Sequence, residues 1–438
     1  MRSLISKSRD SLGQRPAWQT TLYAALATFA VYTCMYGYRK AFAAAPYSKV
    51  DFLGISYKVW LVSSQVIGYM MSKFYGIKFI AENSRKKRAI TILVLIGAAW
   101  AALLLFALVP APYNIVFMFA NGFPLGMIWG LVFSFVEGRR TTEFMGAVLA
   151  SSFIFASGLA KSAGAWLMQD VGINEWWMPF ATGALYFVPL IIFTLALEAI
   201  PNPTADDIAQ RTVRLPMNRE SRRMFVNTFW PGLVLLMVAY VLLTILRDFR
   251  DNFAPELLAE AGLAGGSAIF SKTETPVALL VLGMVSLLML VRNNYRAFML
   301  NHIIILAGLL LAGVGTLLYA TGAISGFAWF LATGSGLYIG YIPINCFYFD
   351  RMIATYRVAA NVGFVMYLAD SFGYLGSVAV TLVKGFVGLH ISWVQFFSIA
   401  LYVSVGVGFL CVAGAMLYYH RKFKTKIDQE KCCNNLPS

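Results

Sequence analysis

Along the chain, apolar residues gather in blocks too long for an ordinary core helix, and short polar stretches rich in Lys, Arg, Asp and Pro separate them. About 20 apolar residues in helical form cross the roughly 30 Å of hydrocarbon in a bilayer. Twelve such blocks can be placed, near 18–44, 56–80, 89–110, 113–136, 142–168, 177–199, 226–249, 276–291, 300–321, 325–349, 358–386 and 393–418. The pattern predicts an all-α membrane protein whose helices satisfy their own backbone hydrogen bonds. Composition agrees: 59% of the residues are hydrophobic and 13% charged, which excludes a soluble domain.

One hydrophilic stretch stands out near the midpoint, "PNPTADDIAQRTVRLPMNRESRRM". It predicts a division into an N-terminal six-helix bundle over 1–200, a cytoplasmic linker over 201–225, a C-terminal six-helix bundle over 226–418 and a basic cytoplasmic tail over 419–438. The fold expected is twelve transmembrane helices in two six-helix pseudo-repeats around a central cavity, an arrangement common among secondary transporters. A loose internal echo fits it. "YRKAFAAAP" closes the first block and "LRDFRDNFAP" the seventh, each with an arginine, then Phe, then Pro. Pro124 and Pro343, set among glycines in "NGFPLGMIWG" and "GSGLYIGYIP", mark places where an inner helix is expected to bend.

The formal charge of +15 raises nucleic acid as a partner, but the basic residues alternate between loops as membrane threading requires. Arg2, Lys7, Arg9 and Arg15 precede the first block, five arginines sit in the linker, and Arg421, Lys422, Lys424, Lys426 and Lys431 lie in the tail. The opposite loops carry Lys49, Lys58, Arg250 and Lys272. Both termini are therefore expected in the cytoplasm. The partners expected are the lipid bilayer and a small anion, not nucleic acid, with the chain a monomer in a bacterial inner membrane.

A charge in hydrocarbon is costly, so ionisable residues inside spans are functional candidates by default. They are Arg39, Lys40, Lys73, Lys161, Arg247, Asp370 and Lys384, and all but one are positive. An unbalanced cationic set in a low-dielectric cleft suits an anion, and a guanidinium meets phosphate or carboxylate with two parallel hydrogen bonds. Substrate contact is assigned to Arg39, Arg247, Lys73, Lys161 and Tyr36, which precedes Arg39 by three positions on nearly the same helical face. Lys40 and Lys384 are expected to snorkel. The acids after Arg247 offer a local ion-pair network as a competing role for it. Asp370 is read as the ion-pair partner of Lys73 or Lys161, with proton coupling as the alternative. No Walker loop, GxSxG elbow or HExxH occurs, and His302, His390, His420 and the five cysteines show no ligand spacing. Neither enzymatic chemistry nor a metal or cofactor is expected.

At these residues the chain resembles the organophosphate:phosphate antiporters of the major facilitator superfamily. "YRKAFAAAP" is similar to the R-K-x-F pattern that ends their first helix, "GYMMSKFYG" to the stretch with the second helix's cavity lysine, and "LRDFRDNFAPELL" to the end of the seventh; "GYLGSVAV" recurs in the eleventh. The resemblance implies exchange of a phosphate ester for inorganic phosphate, with Arg39, Lys73 and Arg247 around the anion. Bacterial predicted major-facilitator proteins with no assigned substrate share the "QVIGYMMSKFYGIK" segment. The antiporters' fifth-helix histidine has no counterpart, and Lys161 follows about one turn after its place. "GIKFIAENSRKKR" matches the superfamily's G-x-x-x-D-R-x-G-R-R signature only loosely. The function expected is secondary active transport of a small organic anion by alternating access; the alternatives are a proton-coupled symporter using Asp370 and a non-transporting anion receptor.

The topology is open to a direct check. Green fluorescent protein fused after Ser438 should fluoresce in bacterial cells, and alkaline phosphatase inserted near Gly265 should be active; the reverse pattern would invert the orientation.

Overall fold

A computed structural model describes residues 2–48, 50–82, 87–137, 139, 141–203, 207, 219–263, 265–356, 358, 362–387 and 391–434. Most of the expected linker over 201–225 and the bases at 85 and 86 fall outside them, as does Lys49.

A short helix α1 (Arg2–Gly13) precedes the first span, and Arg9 Nη2 holds it to the Glu198 carbonyl at 2.5 Å. Helices α2 (Ala17–Arg39), α3 (Tyr57–Glu82) and α4 (Arg88–Leu108) are spans 1 to 3. Between α2 and α3 lie a 3-10 turn, Ala41–Ala44, and a two-stranded hairpin, β1 (Asp51–Phe52) with β2 (Ile55–Ser56), whose turn places Leu53 and Gly54 at positive φ. Span 4 is α5 (Ile115–Leu125) followed by α6 (Ile128–Phe133), and α7 (Thr142–Gln169) and α8 (Met178–Glu198) are spans 5 and 6.

The second half begins with α9 (Arg219–Asn252) as span 7, followed by the short α10 (Ala254–Glu260). Spans 8 and 9 are α11 (Ile269–Met289) and α12 (Asn294–Ala320). Span 10 is α13 (Gly326–Pro343), a π-helical turn over Ile344–Tyr348, and α14 (Phe349–Tyr356); α15 (Val362–Val387) and α16 (Trp393–Asn434) are spans 11 and 12. Among the described residues nine of these spans are long and apolar enough to cross a membrane by hydropathy alone. Spans 1, 2 and 11 complete the twelve, and they carry Arg39, Lys73 and Asp370. The protein is an integral multi-pass membrane protein.

The two expected bends are present. Span 4 breaks just after Pro124, and the π-helical turn of span 10 starts just after Pro343, because proline removes a backbone donor and crowds the preceding turn. The glycines around them serve close packing. A side chain at Gly336 would meet Ala312 on the neighbouring span at 2.7 Å, so spans 9 and 10 touch backbone to backbone.

Packing shows the internal repeat. Span 1 lies against spans 5 and 6, and span 7 against spans 11 and 12; span 4 lies between spans 2 and 3 as span 10 does between 8 and 9. Across the halves, span 5 meets span 8 and span 11 meets span 2. A shift by six spans carries every one of these pairs onto another, which is an approximate two-fold relation. A sequence echo that periodicity alone does not reveal follows it: "AKSAG" at 160–164 in span 5 and "ADSFG" at 369–373 in span 11.

The ion pairs joining the halves are polarised. Lys40 pairs with Asp251 at 2.7 Å and lies 3.8 Å from Asp248, Lys161 pairs with Asp251 at 2.8 Å, Lys58 with Glu256 at 2.8 Å, and Lys73 with Asp370. Among the described residues each such pair takes its lysine from the first half and its carboxylate from the second. Lys58 is 1% exposed and also donates to the Ala43 carbonyl. Removing one member of a buried pair leaves the other charge without compensation, at a cost of about 3–5 kcal/mol. Lys58→Met should therefore lower the detergent melting temperature clearly, while Lys58→Met with Glu256→Gln should recover much of the loss. Equal losses in both variants would show that the pair contributes little.

Candidate functional site

Arg39 ends α2, where the helix's last carbonyls need outside donors. Gln65 Nε2 donates to the Arg39 carbonyl at 2.9 Å and to Asn121 Oδ1 at 2.7 Å, and Asn121 Nδ2 donates to the Tyr38 carbonyl at 3.1 Å. Spans 2 and 4 thus fix the backbone from which Arg39 projects. Its guanidinium lies 3.7 Å from the ring centre of Tyr69 and 5.6 Å from that of Tyr36. Arg247 stands on α9 with its guanidinium 4.4 Å from the Tyr341 ring centre. Both arginines are buried, 4% and 8% exposed.

Their surroundings overlap. Tyr36 and Tyr374 each lie within electrostatic reach of both Arg39 and Arg247, and Tyr374 also feels Lys73. Tyr69 and Tyr374 contact edge to face with ring centres 5.3 Å apart, and Tyr240 stacks on Tyr341 at 5.1 Å. Aromatic faces cover the guanidinium planes and leave their N–H edges as the remaining interaction surface. Among the described residues neither arginine has a carboxylate partner. Arg39 Nε and Arg247 Nε and Nη2 are buried with no hydrogen-bond acceptor.

The acids that follow Arg247 do not neutralise it. At 100° per residue, Asp248, Asp251 and Asn252 fall within one 100° sector of α9, and Arg250 points well away from them. That sector meets the first half. Lys40 Nζ donates to Asn252 Oδ1 at 2.6 Å as well as pairing with Asp251, and Asp251 accepts further from Lys161 and Ser157. Asp248 accepts from Ser377 on span 11 at 2.5 Å. Arg250 turns inward to Glu274 on span 8 at 2.8 Å and to the Phe330 carbonyl. The local network expected around Arg247 is instead three separate links to other spans.

Lys40 also differs from its expectation. Its ammonium is buried at 2% exposure, because carboxylates from span 7, remote in sequence, lie nearer than water. Lys384 departs from its expectation as well: it is buried at 8% exposure, its ammonium 4.8 Å from the Trp393 ring centre and donating to the Ile391 carbonyl at 2.7 Å. Lys161 is fully buried and bound to both a carboxylate oxygen and the backbone carbonyl of Asp251, partners that its local sequence does not show. Asp370 pairs with Lys73, and Tyr240 donates to its other oxygen at 2.5 Å. Asn345, in the π-helical turn, donates to the hydroxyls of Tyr240 and Tyr341 at 3.0 and 3.2 Å.

The structure therefore brings Arg39, Arg247, Lys73 and Tyr36 into one neighbourhood with Asp370, and places Lys161 in the interlocking cluster between the halves. Sequence reasoning missed Gln65, Tyr69, Asn121, Tyr240, Asn345 and Tyr374. A usable signal existed for two of them: Tyr69 precedes Lys73 by four residues and Tyr374 follows Asp370 by four, which on a helix shares a face.

Solved structures place this architecture among known folds. The chain is similar to a D-xylose-proton symporter at 13% identity, with a TM-score of 0.60 over 92% of this chain and 97% of that one. It is similar to an inward-facing, unoccupied bacterial homologue of the human lysosomal transporter Spinster at 12% identity, with a TM-score of 0.58 over 94% and 99%. It is also similar to the nucleoside transporter NupG at 16% identity, with a TM-score of 0.57 over 90% and 98%. At such identities the likeness carries the fold alone, the one these transporters share. No curated protein matches the chain. The sequence family described as "Family of unknown function (DUF5690)" matches residues 41–422, and with that span covered the chain belongs to this family.

Proposed function

We propose that this protein is a secondary transporter that moves a small organic anion by alternating access, with the anion held between Arg39 and Arg247. The observation that carries the reading is a pair of buried guanidinium groups that have no carboxylate partner among the described residues, with Arg39 Nε and Arg247 Nε and Nη2 lacking any acceptor. Lys40, Lys58, Lys73, Lys161 and Arg250 all have carboxylate partners, so this fold does match its buried cations where they serve cohesion. Two that go unmatched in the same neighbourhood fit an anionic ligand. The fold supports transport, since solved proteins of this architecture carry small molecules through their bilayers.

A phosphate ester exchanged for inorganic phosphate is the specific cargo we assign. A tetrahedral dianion accepts several parallel N–H bonds, which the free guanidinium edges supply, and Tyr36, Tyr374 and Asn345 offer polar groups for an organic moiety. Exchange follows from electrostatics. An empty site leaves two like charges in a poor solvent, and closing the halves, 1–200 against 226–418, around it costs more than closing them around a bound anion. Asp370 enters a second reading, proton-coupled symport, because its pair with Lys73 crosses between the halves and a proton on the carboxylate would release that lysine.

Proteoliposomes preloaded with phosphate separate these readings. Radiolabelled phosphate should exchange with the native protein, and Arg39→Lys and Arg247→Lys, which keep the charge and lose the fork, should each lower the rate about ten- to a hundredfold. A folded native protein that neither binds nor exchanges phosphate would overturn the phosphate assignment. Uptake driven by a pH gradient with no internal anion, and abolished in Asp370→Asn, would instead establish symport.

A further inference from the structure

The geometry points to a binding site for an anionic phospholipid headgroup in a groove on span 12, at the end of the bundle that carries both termini. The groove has a volume of about 370 Å³ and is lined by Gly414, Leu417, Tyr418, Arg421, Lys422 and Thr425, which recur every three or four residues and so form one stripe of α16. From Gly414 to Thr425 the helix rises about 16 Å, which crosses from hydrocarbon into the headgroup layer. The stripe changes chemistry over that distance. Its lower part is a glycine and an exposed leucine, suited to an acyl chain, and its upper part carries two cations.

The groove is built, not a loose patch. A side chain at Gly414 would come within 3.2 Å of Leu235, so span 7 backs the groove where the acyl chain would lie. Lys422 Nζ donates to the Thr228 carbonyl at 2.8 Å, and Tyr418 Oη donates to the same carbonyl at 3.2 Å. The ammonium also lies 5.1 Å from the Phe229 ring centre and 5.7 Å from that of Tyr418. These contacts hold Lys422 at the rim, while Arg421 beside it is exposed and keeps its fork available. Trp230, 58% exposed on the adjacent face of span 7, has the position of an interfacial anchor. The occupant that matches cations above, an apolar slot below and a position at the membrane boundary is a phospholipid with a net negative headgroup.

Native mass spectrometry of the full chain released from mixed phosphatidylglycerol and phosphatidylcholine nanodiscs tests this. The native protein should retain phosphatidylglycerol in preference to phosphatidylcholine. Retention should fall several-fold in Arg421→Gln and on the order of tenfold or more in Arg421→Gln with Lys422→Gln, and hold in Arg296→Gln, an exposed base at the same end of the bundle. Arg421→Gln changes only an exposed side chain, so an unchanged melting temperature separates lost lipid from lost fold. Equal retention in the native and doubly substituted proteins, equal retention of the two lipids, or displacement by millimolar inorganic phosphate would overturn the headgroup site.

Discussion

Asp251 is the carboxylate on which the arrangement of the two halves turns. It sits one residue from the end of α9, nearly buried, and receives Lys40, Lys161 and Ser157, all from the first half. A carboxylate removed from water loses several kcal/mol of solvation, and only close cations with further hydrogen bonds make up for it. That requirement fixes where spans 1 and 5 lie relative to span 7. With those spans fixed, the flanking pairs, Lys58 with Glu256 and Lys73 with Asp370, fall into place along span 2.

The same constraint separates cohesion from chemistry. Lys40 directly follows Arg39, and Asp248 directly follows Arg247, yet each neighbour points to a partner while the arginine does not. One residue along the chain turns a side chain by 100°, so a single helix end presents a matched charge to the opposite half and an unmatched one to the tyrosine-lined space beside it. Gln65 and Asn121 reinforce the distinction by holding the backbone of span 1 instead of the Arg39 side chain.

Much of this was legible in the sequence, for reasons particular to membranes. Hydrocarbon thickness sets a length that few soluble helices share, so the twelve blocks and their order could be read from hydropathy, and the prolines marked the two interrupted helices. Arg39, Arg247 and Asp370 stood out because charge is rare in such surroundings. What could not be read was the far side of each interaction. Lys40 looked like a snorkelling residue and Lys161 like an isolated one because Asp251 is distant in sequence, and no local pattern ties them. The echo of "AKSAG" in "ADSFG" was present but inverts the charge, and a search for similar residues passes over an inversion.

The one-sided allocation of charge also governs how the chain is made. Lys161 leaves synthesis 90 residues ahead of Asp251, an interval of roughly five to twenty seconds at ordinary elongation rates. During it, Lys40, Lys58 and Lys161 belong to a half-finished protein with none of their carboxylates yet available. Biogenesis must therefore keep those ammonium groups in contact with water, lipid phosphate or the insertion machinery until span 7 arrives, and the halves become a closed unit only in the order in which they are translated.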